Sequence, residues 1–327
     1  MKALILAAGV GSRMRPLSDW LPKPLLPILT QPNLDHLLRW VARLGIREVG
    51  INLHHHAQKI RDLVGDGSAW GLRVEMREEE GLLQYGTLAL FEDFLGEEPT
   101  LILNGDVVMD LDGHALLRAH RERQAMATLV AVPRPDYLRP VYWDKEQRLL
   151  GLRGGAPSGR GGVEIGTYAG LQILEAEARR LGAPEPCRTN MAADFYPRLL
   201  EKGMPVYVFP HRGYWADLNT LADYWRVHVE LLSSPVPHYF QPFLPLGLGF
   251  WASPEAVLTE GVDIRPPVVV GARSRVAEPA TLGPYAIVGR DCFVPSGVVL
   301  EHALLWEGLS LPEGRPVRQT ILTPYGS

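Results

Sequence analysis

Two glycines, an arginine and a proline-flanked lysine crowd the stretch from Leu6 to Pro24: Leu6-Ala7-Ala8-Gly9-Val10-Gly11-Ser12-Arg13, then Pro22-Lys23-Pro24. Glycine permits unusual backbone angles and close approach, so successive main-chain amides can point at phosphate oxygens. Arg13 adds a fork of fixed positive charge. Prolines on both sides of Lys23 restrict the local backbone and hold its ammonium with little entropy left to lose. The chemistry those residue types suit is the handling of several phosphate charges at once. Two other glycine-loop signatures fail on spacing. A Walker A loop needs Gly-x-x-x-x-Gly-Lys-Ser/Thr, and a dinucleotide fingerprint needs a third glycine where Arg13 or Met14 stands.

The elements that must carry these residues alternate. Residues 3 to 8 read as a short buried strand ended by glycine, and residues 33 to 45 as a helix with an apolar stripe, an Asn33 cap and a Gly45 stop. A strand near 48 to 53, a helix near 57 to 64, a strand near 72 to 76, a helix near 87 to 95 and a strand over 100 to 106 follow. This rhythm predicts an α/β fold with a doubly wound, mostly parallel sheet. In such sheets ligands gather at the carboxyl ends of strands, where both the glycine loop and Asp106 fall.

Beyond residue 233 the pattern changes. Residues 233 to 249 are too rich in proline and glycine for a regular helix or a central strand and mark a junction. From Leu258 every sixth residue is apolar: Ile264, Val270, Val276, Leu282, Val288, Val294, Leu300 and Trp306. Small residues occupy Ser274, Ala280, Ala286 and Cys292. A hexapeptide period of this kind predicts a short β-helix of stacked coils. The expected organisation is a domain over 1–232, a linker over 233–249 and the β-helix over 250–327.

Composition narrows the possibilities. With 33 Lys plus Arg against 37 Asp plus Glu, the net charge of -4 argues against nucleic-acid binding. Two cysteines, Cys187 and Cys292, give no disulfide framework, which with the short apolar start predicts a reduced, cytoplasmic protein. No apolar run nears the ~20 residues of a membrane span, so no membrane is expected. Bland readings are favoured for His54-His55-His56 (a helix start with exposed imidazoles) and for residues 77 to 80, Arg-Glu-Glu-Glu (a solvated turn).

The order Gly-x-Gly-x-Arg, Pro-Leu-Ser, Pro-Lys-Pro resembles the sugar-1-phosphate nucleotidylyltransferases, also called nucleotide-sugar pyrophosphorylases. The resemblance continues through "LNGDVVMDLD" and "GYWADLNTLADYW", and the hexapeptide tail is similar in layout to mannose-1-phosphate guanylyltransferases and to left-handed β-helices. It implies a Rossmann-like nucleotidyltransferase fold and transfer of a nucleotidyl group from a nucleoside triphosphate to a sugar 1-phosphate, with Mg²⁺ as cofactor. Arg13 and Lys23 would be catalytic; Leu6, Ala7, Ala8, Gly9, Gly11, Ser12, Gln84 and Gly86 would bind the nucleotide. Gly105 and Glu164 would meet the sugar phosphate, and Asp106 and Asp217 would be the metal ligands. The implied product is GDP-mannose, with glucose-1-phosphate uridylyl or thymidylyl transfer as the alternative, and self-association is expected.

Three departures qualify the match. The base loop reads "LLQYGTLAL", a Glu-Lys-Pro is missing with Arg153 or Arg160 as substitute cations, and Asn219 stands for a glycine that tolerates left-handed backbone. A non-catalytic nucleotide-sugar sensor and a hexapeptide acyltransferase are the readings from other classes.

Overall fold

A computed structural model describes residues 1–79, 86–134, 139–152, 162–182 and 194–326. The chain divides into two compact units: Met1–Leu25 with Leu37–Leu218, and Leu26–His36 with Asn219–Ser327.

The first unit is built on a nine-stranded sheet. Lys2–Leu6 is central and parallel to Glu48–Leu53 on one side and Thr100–Asn104 on the other, so Ile5 lies between Ile51 and Leu103. Arg73–Glu78 adds a further parallel strand beyond Glu48–Leu53. The interior residues of Lys2–Leu6 and Thr100–Asn104 are apolar and buried, as a strand covered on both faces demands. Helix Ala57–Val64 supplies a crossover, while the residues expected as one helix near 87 to 95 form two, Gly86–Leu90 and Glu92–Leu95.

The other half of this sheet departs from the mostly parallel expectation. The eleven-residue strand Glu164–Leu174 runs antiparallel to Thr100–Asn104, to Ala127–Val132 and to Pro140–Trp143. No described helix separates Pro140–Trp143, Leu149–Leu152 and Glu164–Leu174, and without a crossover helix neighbouring strands pair as antiparallel neighbours. A small antiparallel pair, Val107–Met109 with Trp215–Asp217, stands at the carboxyl end of Thr100–Asn104.

The second unit is rich in strands. Helix Leu221–Ser233 opens with a capping box, Thr220 accepting from the Asp223 amide and Asp223 accepting from the Thr220 amide. The stretch expected as a linker contains a four-residue helix, Pro237–Phe240, and an edge strand, Leu244–Gly247. Further on, short strands pair in parallel, Leu258 with Val276 and Val276 with Val294, Ile264 with Leu282 and Leu282 with Leu300, at one offset that slips by a residue where Val288 pairs with Leu305 rather than with the expected Trp306. That offset is three hexapeptides. The hexad residues from Val270 to Leu300 are at most 1% exposed. Ser274 and Cys292 are buried between strands, the Ser274 hydroxyl donating to the Gly289 carbonyl at 2.7 Å and accepting from the Cys292 amide at 2.9 Å. A larger side chain there would break both bonds.

Candidate functional site

The glycine loop begins where Lys2–Leu6 ends. The Ala7 amide donates to Asn52 Oδ1 at 2.5 Å, tying the strand end to its parallel neighbour. Gly9 is exposed and faces open space. Gly11 turns the chain with φ 68°, and a Cβ there would sit 3.1 Å from Lys23 Cγ. A short 3₁₀ turn, Ser12–Met14, then buries Met14 and leaves Ser12 and Arg13 exposed.

Lys23 rises from the second 3₁₀ turn, Lys23–Leu25, with Pro22 and Pro24 buried on either side. Its Nζ lies 3.2 Å from Asp106 Oδ2, the two side chains being 12% and 24% exposed. Gly105 makes this approach possible: its amide donates to the Leu6 carbonyl at 2.9 Å, and a Cβ there would lie 2.8 Å from the Pro24 ring. The proline-lysine-proline turn and the end of Thr100–Asn104 are thus pressed together because residue 105 has no side chain.

Asp217 reaches the same place through the main chain. It pairs with Val107 in the small antiparallel ladder, and the Leu218 amide donates to the Asp106 carbonyl at 3.0 Å. Asp106 and Asp217, far apart in sequence, therefore stand on adjacent strand ends. Arg139 Nη2 donates to Asp217 Oδ2 at 2.6 Å. No bond from a described residue reaches the Oδ1 atom of either aspartate. Among the described residues no three His, Cys, Asp or Glu side chains cluster as metal ligands. A pair of carboxylates each with one uncommitted oxygen nevertheless fits a hard divalent ion that completes its shell with water and phosphate.

The structure adds residues that the sequence did not single out. Asn52, Glu79 and Thr87 form a buried polar group at the ends of three elements: Asn52 Nδ2 donates to Glu79 Oε1 at 2.9 Å, and the Thr87 hydroxyl donates to the same oxygen. Residues 77 to 79 are therefore not a solvated turn, and Glu80 lies outside the described residues. Arg77 and Glu78 end a strand, Glu79 is buried, and Arg77 bonds both oxygens of Asp93 at 2.6 and 2.9 Å, holding that carboxyl down at about 2. Of the three histidines only His54 is exposed, with Nδ1 3.1 Å from the Glu79 carbonyl; His55 and His56 are half-buried, each with Nε2 against the Ser18 carbonyl.

The remaining expected residues are dispersed. Gly86 is buried at the start of Gly86–Leu90, whereas Gln84, Arg153 and Arg160 lie outside the described residues. Glu164 is exposed and accepts from Trp143 Nε1 at 3.1 Å. It is about 16 Å along its strand from Ala169, whose carbonyl accepts from Trp215 Nε1 at 2.8 Å. Asn219 is not among the residues with positive φ, so its turn does not draw on left-handed backbone.

Residues 2–139 match the family model for nucleotidyl transferases. Over nearly the whole chain the sequence is similar to UTP–glucose-1-phosphate uridylyltransferase of Synechocystis (25% identity, 99% of this chain and 88% of that one). It is also similar to mannose-1-phosphate guanylyltransferase of Mycobacterium tuberculosis (28%, 95% and 81%) and glucose-1-phosphate thymidylyltransferase of Streptomyces griseus (28%, 98% and 92%). Among solved structures, HddC of Yersinia pseudotuberculosis superposes with a TM-score of 0.57 at 20% identity, covering 69% of this chain and 97% of its own, a likeness of fold alone.

Proposed function

We propose that this chain, whose residues 2–139 match the nucleotidyl transferase family model, is a sugar-1-phosphate nucleotidyltransferase that moves a nucleotidyl group from a nucleoside triphosphate to a sugar 1-phosphate and releases pyrophosphate. The observation that carries this reading is the meeting of Lys23 with Asp106 at 3.2 Å, beside a main-chain bond that brings Asp217 to the same strand end. An oxygen of the sugar phosphate attacks the α-phosphorus of the triphosphate. Two anions must meet, so the work is charge neutralisation and in-line positioning rather than nucleophilic catalysis by the protein.

In this reading the exposed turn of Gly9, Gly11 and Ser12 cradles phosphate with its amides. Arg13 holds the departing pyrophosphate, and Lys23 neutralises charge around the reacting centre. Asp106 and Asp217 would hold Mg²⁺, whose bound charge stabilises the α-phosphate. Gly86 contacts the base, Gly105 keeps the floor of the site open, and Glu164 receives sugar hydroxyls.

The favoured pair is GTP and mannose 1-phosphate, supported by the tail of hexapeptides. The second reading, UTP or dTTP with glucose 1-phosphate, is favoured by relatives named for uridylyl and thymidylyl transfer at similar identity. Residues 250–327 are read as a left-handed parallel β-helix, on the support of the three-hexapeptide register, following a catalytic domain over 1–232 and a linker over 233–249. A pyrophosphate-release assay across four nucleoside triphosphates and a set of sugar 1-phosphates, with Mg²⁺, tests the function. Release with one pair at least tenfold faster than the rest is expected. No release with any pair, while a nucleotide sugar still binds, would replace this reading with that of a sensor.

A further inference from the structure

Resting on the nucleotidyl-transfer reading, we infer that Arg139 is the phosphate-binding residue for the sugar 1-phosphate, held ready by Asp217 and passed from that carboxylate to the incoming phosphate. Four observations lead there. Arg139 Nη2 lies 2.6 Å from Asp217 Oδ2, with the two side chains 29% and 13% exposed, so the pair is partly shielded yet reachable. Its guanidinium is 5.8 Å from the centre of the Trp215 ring. That ring is itself fixed by the bond from Trp215 Nε1 to the Ala169 carbonyl at 2.8 Å. Arg134 approaches the same ring at 5.8 Å but donates to the Trp215 main-chain carbonyl at 2.8 Å, a partner that has no reason to leave when substrates bind.

The chemistry favours exchange at Arg139. A guanidinium keeps its charge at every working pH, and its planar fork suits a carboxylate or a phosphate equally well. At rest, Lys23 and Arg139 match Asp106 and Asp217 charge for charge. Two phosphorylated substrates upset that balance, and the same cations are then better employed on phosphate. Arg139 also stands on the right ladder. It leads directly into Pro140–Trp143, which pairs residue by residue with the strand segment Glu164 to Thr167. From Pro140 to Trp143, the partner of Glu164, is about 10 Å, roughly the length of a hexose bearing a 1-phosphate. A phosphate on Arg139 and hydroxyls near Glu164 therefore suit one sugar phosphate. This assigns a cation where the Glu-Lys-Pro lysine is missing.

Arg139→Gln and Arg139→Lys, made in the full chain, test the assignment. In Arg139→Gln, KM for the sugar 1-phosphate should rise about 30-fold with KM for the triphosphate within about twofold, the expected loss of one charged hydrogen bond. Arg139→Lys should recover part of that loss. Mn²⁺ binding without substrates, followed by electron paramagnetic resonance, should tighten in Arg139→Gln because Asp217 loses a competing cation; a merely structural residue would move it the other way or not at all. Calorimetry of mannose 1-phosphate and glucose 1-phosphate against the wild-type and variant proteins reads the same contact without turnover, so a failure of the overall reaction is distinguished from a failure of this assignment. Equal rises in both KM values, an unchanged sugar-phosphate affinity, weaker Mn²⁺ binding, or no sugar phosphate bound by the wild type would each overturn it.

Discussion

The Lys23–Asp106 contact illustrates how little stability a site of this kind needs. Both side chains are partly exposed, and such a pair contributes on the order of 0–1 kcal/mol. The Leu218 amide bonds to the Asp106 main-chain carbonyl, not to the side chain, so the Asp217 strand stays in place whatever the carboxylate becomes. Asp106→Asn is accordingly expected to lose at least about a hundredfold in turnover, in the range seen when one electrostatic contact to a transition state is removed, with a melting temperature unchanged within error. Turnover at the wild-type rate would remove Asp106 from the catalytic group. At this scale the sequence marked Lys23, Asp106 and Asp217 through local motifs. It passed over Arg139, Asn52 and Glu79, because each depends on partners many positions away and none sits in a recognisable run. Glu79 is the clearest instance. Beside Arg77 and Glu78 it reads as one more solvated charge, and only its burial against Asn52 and Thr87 changes its meaning.

Among the elements, helix Leu221–Ser233 carries a titratable group that the site does not use. His228 is fully buried on that helix, its Nδ1 donating to the Tyr224 carbonyl at 2.7 Å and its ring meeting Tyr224 edge-on. Burial pushes its pKa down to about 4. A base lowered in the folded state is protonated first in the unfolded chain, so stability is full above about 6.5 and is lost as pH falls from there towards 4. The loss attributable to this one ring reaches about 3 kcal/mol at the low end of the window. Thermal melts from pH 7 to pH 4 should fall less steeply in His228→Phe than in the wild type; parallel profiles would show that His228 carries no such share. The strands taught a different lesson. Short apolar runs alternating with helical stripes found the parallel strands, but the direction of Glu164–Leu174 was not in its residues, since polarity depends on how the chain returns rather than on which faces are apolar.

For the whole molecule we expect self-association. Edge strand Leu244–Gly247 and the residue after it expose Leu244, Leu246 and Leu248 at 50%, 56% and 96%, alternate positions that share one face. Apolar edge strands left uncovered invite pairing. Light scattering should give a mass above 36.3 kDa for the full chain and a lower one for Leu246→Lys with Leu248→Lys; an unchanged mass would exclude this edge. By itself the sequence determined the glycine turn and its neighbouring cations, the alternating strands and helices of the amino-terminal half and the six-residue period of the tail, because backbone freedom and burial rhythm are written in neighbouring residues. Only the tertiary structure decided which distant cation meets which carboxylate, which way the long strand runs, and that Leu26–His36 belongs with the carboxyl-terminal unit. Those outcomes arise where separate parts of the chain compete for the same partners, and no local pattern records the winner.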